Sequence, residues 1–325
     1  MSYEFEIDRC DVQDKSKLGE FRRKRDEWLH WMRKDEHHSI CQQITGMLWN
    51  DAVFRMVNEA RRLAAARNSG TVSVNASLMR MVDEGFVATQ VLAIRRLREP
   101  PSRDANKQVI SLKRTLLDIT THLHLFTREA YVCFDGLPYD PEPGRTAYFE
   151  WAKAQPNGAG MTWLSTSGPE AWTTSCRLHD AFDHLSGTTP STRNREDTIR
   201  PEVLTFIDQQ LEDSGWKDIS DFANKFVAHS ADRHSRSLIQ PPRLGVSLNE
   251  LERCHRAICQ VTSVILSTIL YDSSYGFFPV PQFDALEHLE RPLIETDDMG
   301  ALVALWDSNI ARVGSWGALD LSKAP

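Results

Sequence analysis

The sequence predicts an all-α protein, an antiparallel bundle of long helices with an irregular insertion and a C-terminal tail. Three observations lead there. Apolar residues recur at three- and four-residue intervals through long segments, the breaks between segments are short and rich in Gly, Pro, Asn and Ser, and Ser247-Leu248-Asn249-Glu250 is a capping box that opens the last long helix. With 325 residues, 41% of them hydrophobic, the chain can bury a core without disulfide or metal staples. The expected organisation is an N-terminal arm over 1–36, a bundle made of 37–131 and 200–272, an insertion over 132–199 and a tail over 273–325.

Composition narrows the function classes. A formal charge of −7 argues against a surface that grips a polyanion everywhere and leaves only local basic patches. The six cysteines are scattered without a CxxC pair, as expected of reduced, buried thiols in a cytoplasmic protein. MSYEFEIDRC at the start is acidic and polar where a secretory signal is basic and then apolar. The longest apolar run, 261–270, is interrupted by Thr262, Ser263, Ser267 and Thr268 and is too short to span a bilayer, so no membrane partner is expected. GxGxxG, GxxxxGK[ST] and GxSxG are all missing.

In chain order, residues 1–20 show no sustained period and are expected to be loosely held. In 21–36, basic residues alternate with Phe21, Trp28, Trp31 and Met32. This pattern suits nucleic-acid contact, but an amphipathic helix docking Trp28, Leu29 and Met32 with its charges in water explains it better. Long helices follow over 39–68, 74–97 and 106–131, the second ended by Pro100 and Pro101. Between the last two lies the densest positive charge of the chain, including Arg95, Arg96, Arg98, Arg103, Lys107, Lys113 and Arg114. Arg95, Arg96 and Arg98 are candidate RNA contacts, set against the ordinary role of cations at a helix C-terminus. The insertion is punctuated by Pro and Gly, with single helices in TAYFEWAKA and GPEAWTTSCRLHDAFDHL, and its Trp151, Trp163 and Trp172 form a satellite core. Pro201 opens another helix through Leu204, Ile207 and Leu211. The tail alternates turns such as SSYGFFPVPQF with the amphipathic DDMGALVALWDSNIARV.

Gly215 to Asp232 is the stretch with the most chemistry. Ile219, Phe222, Ala223, Phe226 and Val227 make one apolar stripe, and Asp218, Lys225 and His229 share one rim of that helix. A polar loop, ADRHSRSLIQPPRLGV, comes next, with Arg233 and Arg236 near the rim. His229, Asp232 and His234, the pair His37-His38, and His122 with His124 are imidazole groupings, but none has a recognised three-ligand spacing, so no metal or other cofactor is expected.

ANKFVAHSAD followed by VSLNELERCHRAICQVTSVI, and the earlier block VLAIRRLREPPSRDANKQVISLKRTLLDI, together resemble the HEPN-like family related to U-type abortive-infection proteins. In that family a helix ending RNK-x-x-AH precedes a capped final helix. The likeness covers 40–130 and 200–272; the insertion and both termini lie outside it. It implies a dimerising all-α bundle linked to RNA and phage defence, and, in active members, metal-independent RNA cleavage. His229 would be the general acid/base, with Asn224, Lys225 and Asp232 as supporting polar groups. RNA contacts would come from Arg95, Arg96, Arg98, Arg233 and Arg236. The family's Arg is replaced by Ala223, so the motif is degenerate, and a Lys225 ammonium cannot reproduce a guanidinium fork. The alternative expectation is a non-catalytic, dimeric helical interaction scaffold.

Overall fold

The computed structural model describes residues 3–67, 70, 74–154, 163–238, 245–272, 287–288, 291 and 296–315. Every regular element among them is helical, apart from one antiparallel bridge between Thr127 and Thr198. Residues 1–278 form one compact unit and 279–325 a second, whose described helix is α12 (Met299–Gly314). The turns predicted in SSYGFFPVPQF lie outside the described residues.

Asp14 starts the first helix by accepting the Lys17 N–H, and α1 (Lys15–Leu29) continues through a wider i→i+5 turn at His30–Lys34. Leu18, Phe21, Trp28, Leu29 and Met32 are buried in the core. The basic residues expected to stay in water do not all do so. Arg22 donates to the Phe134 and Phe5 carbonyls, Lys24 to Asp118, and Arg25 to the Leu270 and Tyr271 carbonyls. Their aliphatic stems pack while their charges meet oxygen.

The loosely held arm expected over 1–20 is likewise corrected. Cys10 and Val12 are buried, and Glu129 accepts the backbone N–H groups of Gln13 and Asp14. Phe5 lies so close over Gly136, at φ +76, that a Cβ there would come within 2.3 Å of its ring. Backbone bonds rather than apolar periodicity hold this segment, which is why no pattern revealed it.

The long helices α2 (Ile40–Arg67) and α3 (Ala76–Arg98) are antiparallel, as successive contacts show: Gln90 donates to the Met47 carbonyl, Phe86 stacks on Phe54 at 3.7 Å, and Asp83 pairs with Arg61 at 2.8 Å. The third long helix is not continuous. It divides into α4 (Leu112–Thr121) and α5 (Arg128–Val132), with a 3-10 turn at Leu123–Leu125 between them. His122 folds its Nδ1 onto the Asp118 carbonyl at 2.7 Å and leaves helical geometry, and the Thr127 hydroxyl caps the new start.

Within the insertion, α6 (Glu142–Lys153) precedes α7 (Trp172–Ser186), and α7 is a core helix through Leu178, Phe182 and Leu185. Its His179 donates from Nε2 to the Tyr139 carbonyl at 2.7 Å. Trp151 and Trp163 are exposed, whereas Trp172 packs with Tyr148. Arg128 is fully buried between α5 and α7, paired with Asp183 at 2.8 Å and Asp197 at 2.9 Å. It also donates to the His179 carbonyl, Ser186 and Thr188.

The bundle is completed by α8 (Pro201–Asp213), α9 (Trp216–Phe222), the short α10 (Arg233–Ser237) and α11 (Leu248–Val264). The capping box forms as the sequence predicts, with Ser247 and Glu250 bonded reciprocally. On α11, buried His255 donates from Nε2 to Gln90 Oε1 at 3.0 Å.

Burial pushes the pKa of His255 down, opposed by Asp51, with Arg55 and Glu252 as weaker influences. His179 is also lowered by burial, against its bond to the Tyr139 carbonyl. Both are therefore held neutral while the unfolded chain takes up protons below about pH 6.5. Their full contribution is present above that pH and falls as pH drops toward the folded values. Thermal melts from pH 7.5 to 5.5 are expected to show a falling Tm, with a shallower fall in His255→Gln. An unchanged slope in that variant would remove His255 from the account.

Candidate nucleic-acid interface

The end of α3 carries Arg95, Arg96 and Arg98 in its last turn, where cations offset the helix dipole. Glu99 then leaves the helix, and Pro100 and Pro101 prevent its return. Gly215, at φ +83, lets the chain turn sharply from α8 into α9. Ile219 on α9 and Ala223 in the turn that follows it are both buried, and α3 packs against the two elements.

Two residues selected separately from the sequence meet here. Arg95 donates from Nε to Asn224 Oδ1 at 2.5 Å, and its Nη1 lies 3.7 Å from Glu99 Oε2. An arginine can only donate, so the atom of Asn224 that faces it is the oxygen, and the Nδ2 amide makes no hydrogen bond among the described residues. The Arg98 guanidinium lies 5.9 Å over the Trp216 ring, and its Nε is buried without a hydrogen bond among the described residues. Arg95, Arg98, Glu99, Pro100, Ser220 and Asn224 line a cleft of about 180 Å³. Glu99 also lines a larger cleft of about 540 Å³ with His38, Gln43, Arg96, Gln108, Val109 and Ile110.

The rest of the basic density is partly neutralised. Lys113 pairs with Asp208 at 2.5 Å, and Arg114 lies 4.1 Å over Trp31 and donates to the Val109 carbonyl. Arg96 and Arg103 remain exposed.

The shared rim of Asp218, Lys225 and His229 does not form. After Phe222 the helix widens into an i→i+5 turn over Ala223–Val227, closed by the Ala228 N–H on the Ala223 carbonyl at 2.8 Å. That extra residue per turn shifts the phase assumed for a regular helix. Phe226 accordingly leaves the predicted stripe, 38% exposed and stacked on Phe222. Lys225 donates to Ser235 Oγ at 2.6 Å, and Asp232 caps α10 by accepting the Ser235 N–H at 2.7 Å. Lys225 and Asp232 thus converge on Ser235. His229 lies beyond the helix in a bend, exposed and without a hydrogen bond or ion pair among the described residues. Arg233 and Arg236, on α10, are exposed as well.

Sequence reasoning missed Ser220. It precedes Asn224 by four residues, so the two share a helix face, and that spacing was the available signal. Arg128 and Glu129 were also missed, though two charges directly after a capping Thr127 in an apolar stretch are an unusual pattern.

Burial raises the Cys41 thiol to about 12 and the Cys259 thiol to about 11, so neither is an activated nucleophile. Among the described residues no three His, Cys, Asp or Glu side chains gather as a metal site, and no helix is long and apolar enough to cross a membrane. No family model, curated protein or solved structure matches the chain.

Proposed function

We propose that the protein is a HEPN-like, RNA-linked defence or stress protein that works as a homodimer and cleaves RNA without a metal ion. The observation that carries this reading is the Arg95 to Asn224 hydrogen bond. It brings a guanidinium from α3 beside the very motif whose own arginine is replaced by Ala223. In the proposed step the His229 imidazole takes the 2′-OH proton, the 2′-oxygen attacks phosphorus as the bond to the 5′-oxygen breaks, and the His229 imidazolium returns that proton to the leaving 5′-oxygen. A 2′,3′-cyclic phosphate and a 5′-OH result. Arg95 would offset the charge growing on the phosphoryl oxygens. His229 is exposed, so a strand can reach it.

A second reading, the non-catalytic scaffold, has its own supporting observation. Nothing among the described residues orients the His229 ring, whereas acid/base groups work best when held in place. One experiment separates the two. Purified protein in EDTA is expected to cut single-stranded RNA, and His229→Ala to lower the rate by about 10²–10⁴-fold with an unchanged Tm. Intact RNA after prolonged incubation with the wild-type dimer would leave the scaffold reading in its place.

A further inference from the structure

We infer that the cleft between the end of α3 and α9 binds one internal phosphodiester of single-stranded RNA, with the adjoining base in the larger cleft that shares Glu99. This rests on the RNA reading above and adds to it a phosphate subsite and a residue, Ser220, that the reading does not use.

Several polar groups at the cleft lack partners among the described residues. Ser220 is 4% exposed and lines the cleft, yet its hydroxyl makes no hydrogen bond among the described residues. Its oxygen is not among the buried unpaired atoms, so it is open to a ligand in the cleft. Arg98 Nε, by contrast, is buried with no hydrogen bond among the described residues, a costly condition that such groups normally escape. Asn224 has its oxygen occupied by Arg95 and its amide N–H groups unassigned. Ser220, Asn224, Arg95 and Arg98 therefore offer donors, and the sole carboxylate of the lining, Glu99, is already set against Arg95 at 3.7 Å.

A ligand matching that lining accepts several hydrogen bonds at once and carries negative charge. Phosphate oxygens have that chemistry. The charge sum refines the choice. Two guanidinium groups against one carboxylate leave a single net positive charge, which balances the one negative charge of an internal phosphodiester better than the nearly two of a terminal phosphate. The carbonyl end of α3 also opposes an anion, so one arginine alone would be a weak counter-charge.

The neighbouring cleft has the size of a small-molecule site and the mixture a nucleobase needs. Val109 and Ile110 offer apolar surface, and His38 and Gln108 offer polar edges. The Gln43 amide N–H groups are engaged by the His38 and Ile110 carbonyls, which leaves its Oε1 as an acceptor. A phosphate cleft beside a base cleft suits a splayed nucleotide and not a paired duplex, whose base edges are engaged.

The test is fluorescence anisotropy in EDTA with a labelled eight-nucleotide single-stranded RNA, using full-length His229→Ala so that cleavage does not interfere. Asn224→Asp keeps an acceptor for Arg95 but removes the amide donors and adds a negative charge. It is expected to weaken binding roughly tenfold or more. Arg98→Gln is expected to weaken it similarly and to reduce the salt slope by about 0.7. Ser220→Ala should weaken binding by about threefold. Duplex RNA of the same sequence should compete at least about tenfold less well, and inorganic phosphate only at far higher concentration. Tight oligonucleotide binding that all three variants leave unchanged would overturn the cleft assignment while sparing the RNA reading. Inorganic phosphate competing as well as the oligonucleotide would make this a free-anion site and overturn the assignment to RNA. No oligonucleotide binding, together with no cleavage by the wild type, would remove both.

Discussion

Arg128→Met is expected to lower the free energy of unfolding by about 3–5 kcal/mol, read from urea denaturation. The substitution keeps volume and removes charge. Asp183 and Asp197 then lose a guanidinium that bonds both, and the His179 carbonyl, Ser186 and Thr188 lose a donor. Burial opposes ionisation of Asp183, and Arg193 and Arg128 overcome it to hold that carboxyl below the usual range. A depressed folded pKa gives stability that is present above the unfolded value and lost as pH falls through the folded one. Removing Arg128 raises the Asp183 carboxyl, so the defect should shrink on acidification toward pH 4, where that group can protonate instead. A loss below about 1 kcal/mol, or a defect that grows in acid, would contradict a buried ion pair at this position.

Trp28→Ala is the second large effect, expected at about 3–5 kcal/mol. The ring is fully buried, stacks on Phe126 at 5.4 Å and meets His122 edgewise at 6.2 Å, while its Nε1 donates to Asp118 at 2.7 Å. Trp28→Phe retains part of the packing, loses that bond and leaves a smaller void, costing about 1.5–3 kcal/mol. Asp118 provides a cross-check. Burial works against its ionisation, and bonds from Lys24 and Trp28 overcome this to hold its pKa down. In Trp28→Phe the carboxyl should therefore titrate at a higher pH, visible by NMR. Equal losses from both substitutions would mean that the hydrogen bond, and not packing, dominates at Trp28.

The parts of the fold that could be read from the sequence are those specified locally. α2, α3, α8 and α11 each carry an apolar stripe with a start or stop signal beside it, and Ser247 with Glu250 is a cap whose two halves lie within one turn. Where distant groups decide, pattern reading fails. The division of α4 from α5 depends on where the His122 side chain bonds, while Leu123 and Phe126 continue the apolar period across the break. α7 could be read as a helix but not as part of the core, because burial of Phe182 depends on neighbours such as Tyr131, whose ring lies 5.0 Å away. For the site, each residue could be named but not the company it keeps. Arg95 and Asn224 are 129 positions apart. The widened turn at Ala223–Val227 has no composition signal, and with it the rim joining Lys225 to His229 disappears.

The bonds from Arg25 to the Leu270 and Tyr271 carbonyls join positions 245 and 246 residues apart. On the ribosome the two halves of this contact are therefore made at different times. At about 5–20 residues per second, roughly 12 to 50 s separate synthesis of Arg25 from that of Leu270. Throughout that interval the buried Arg25 of α1 lacks its final partners, whereas Phe21 and Trp28 can already meet Phe126. The nascent chain is thus expected to stay protease-sensitive around α1 until Leu270 and Tyr271 emerge, and to be the species that chaperones engage.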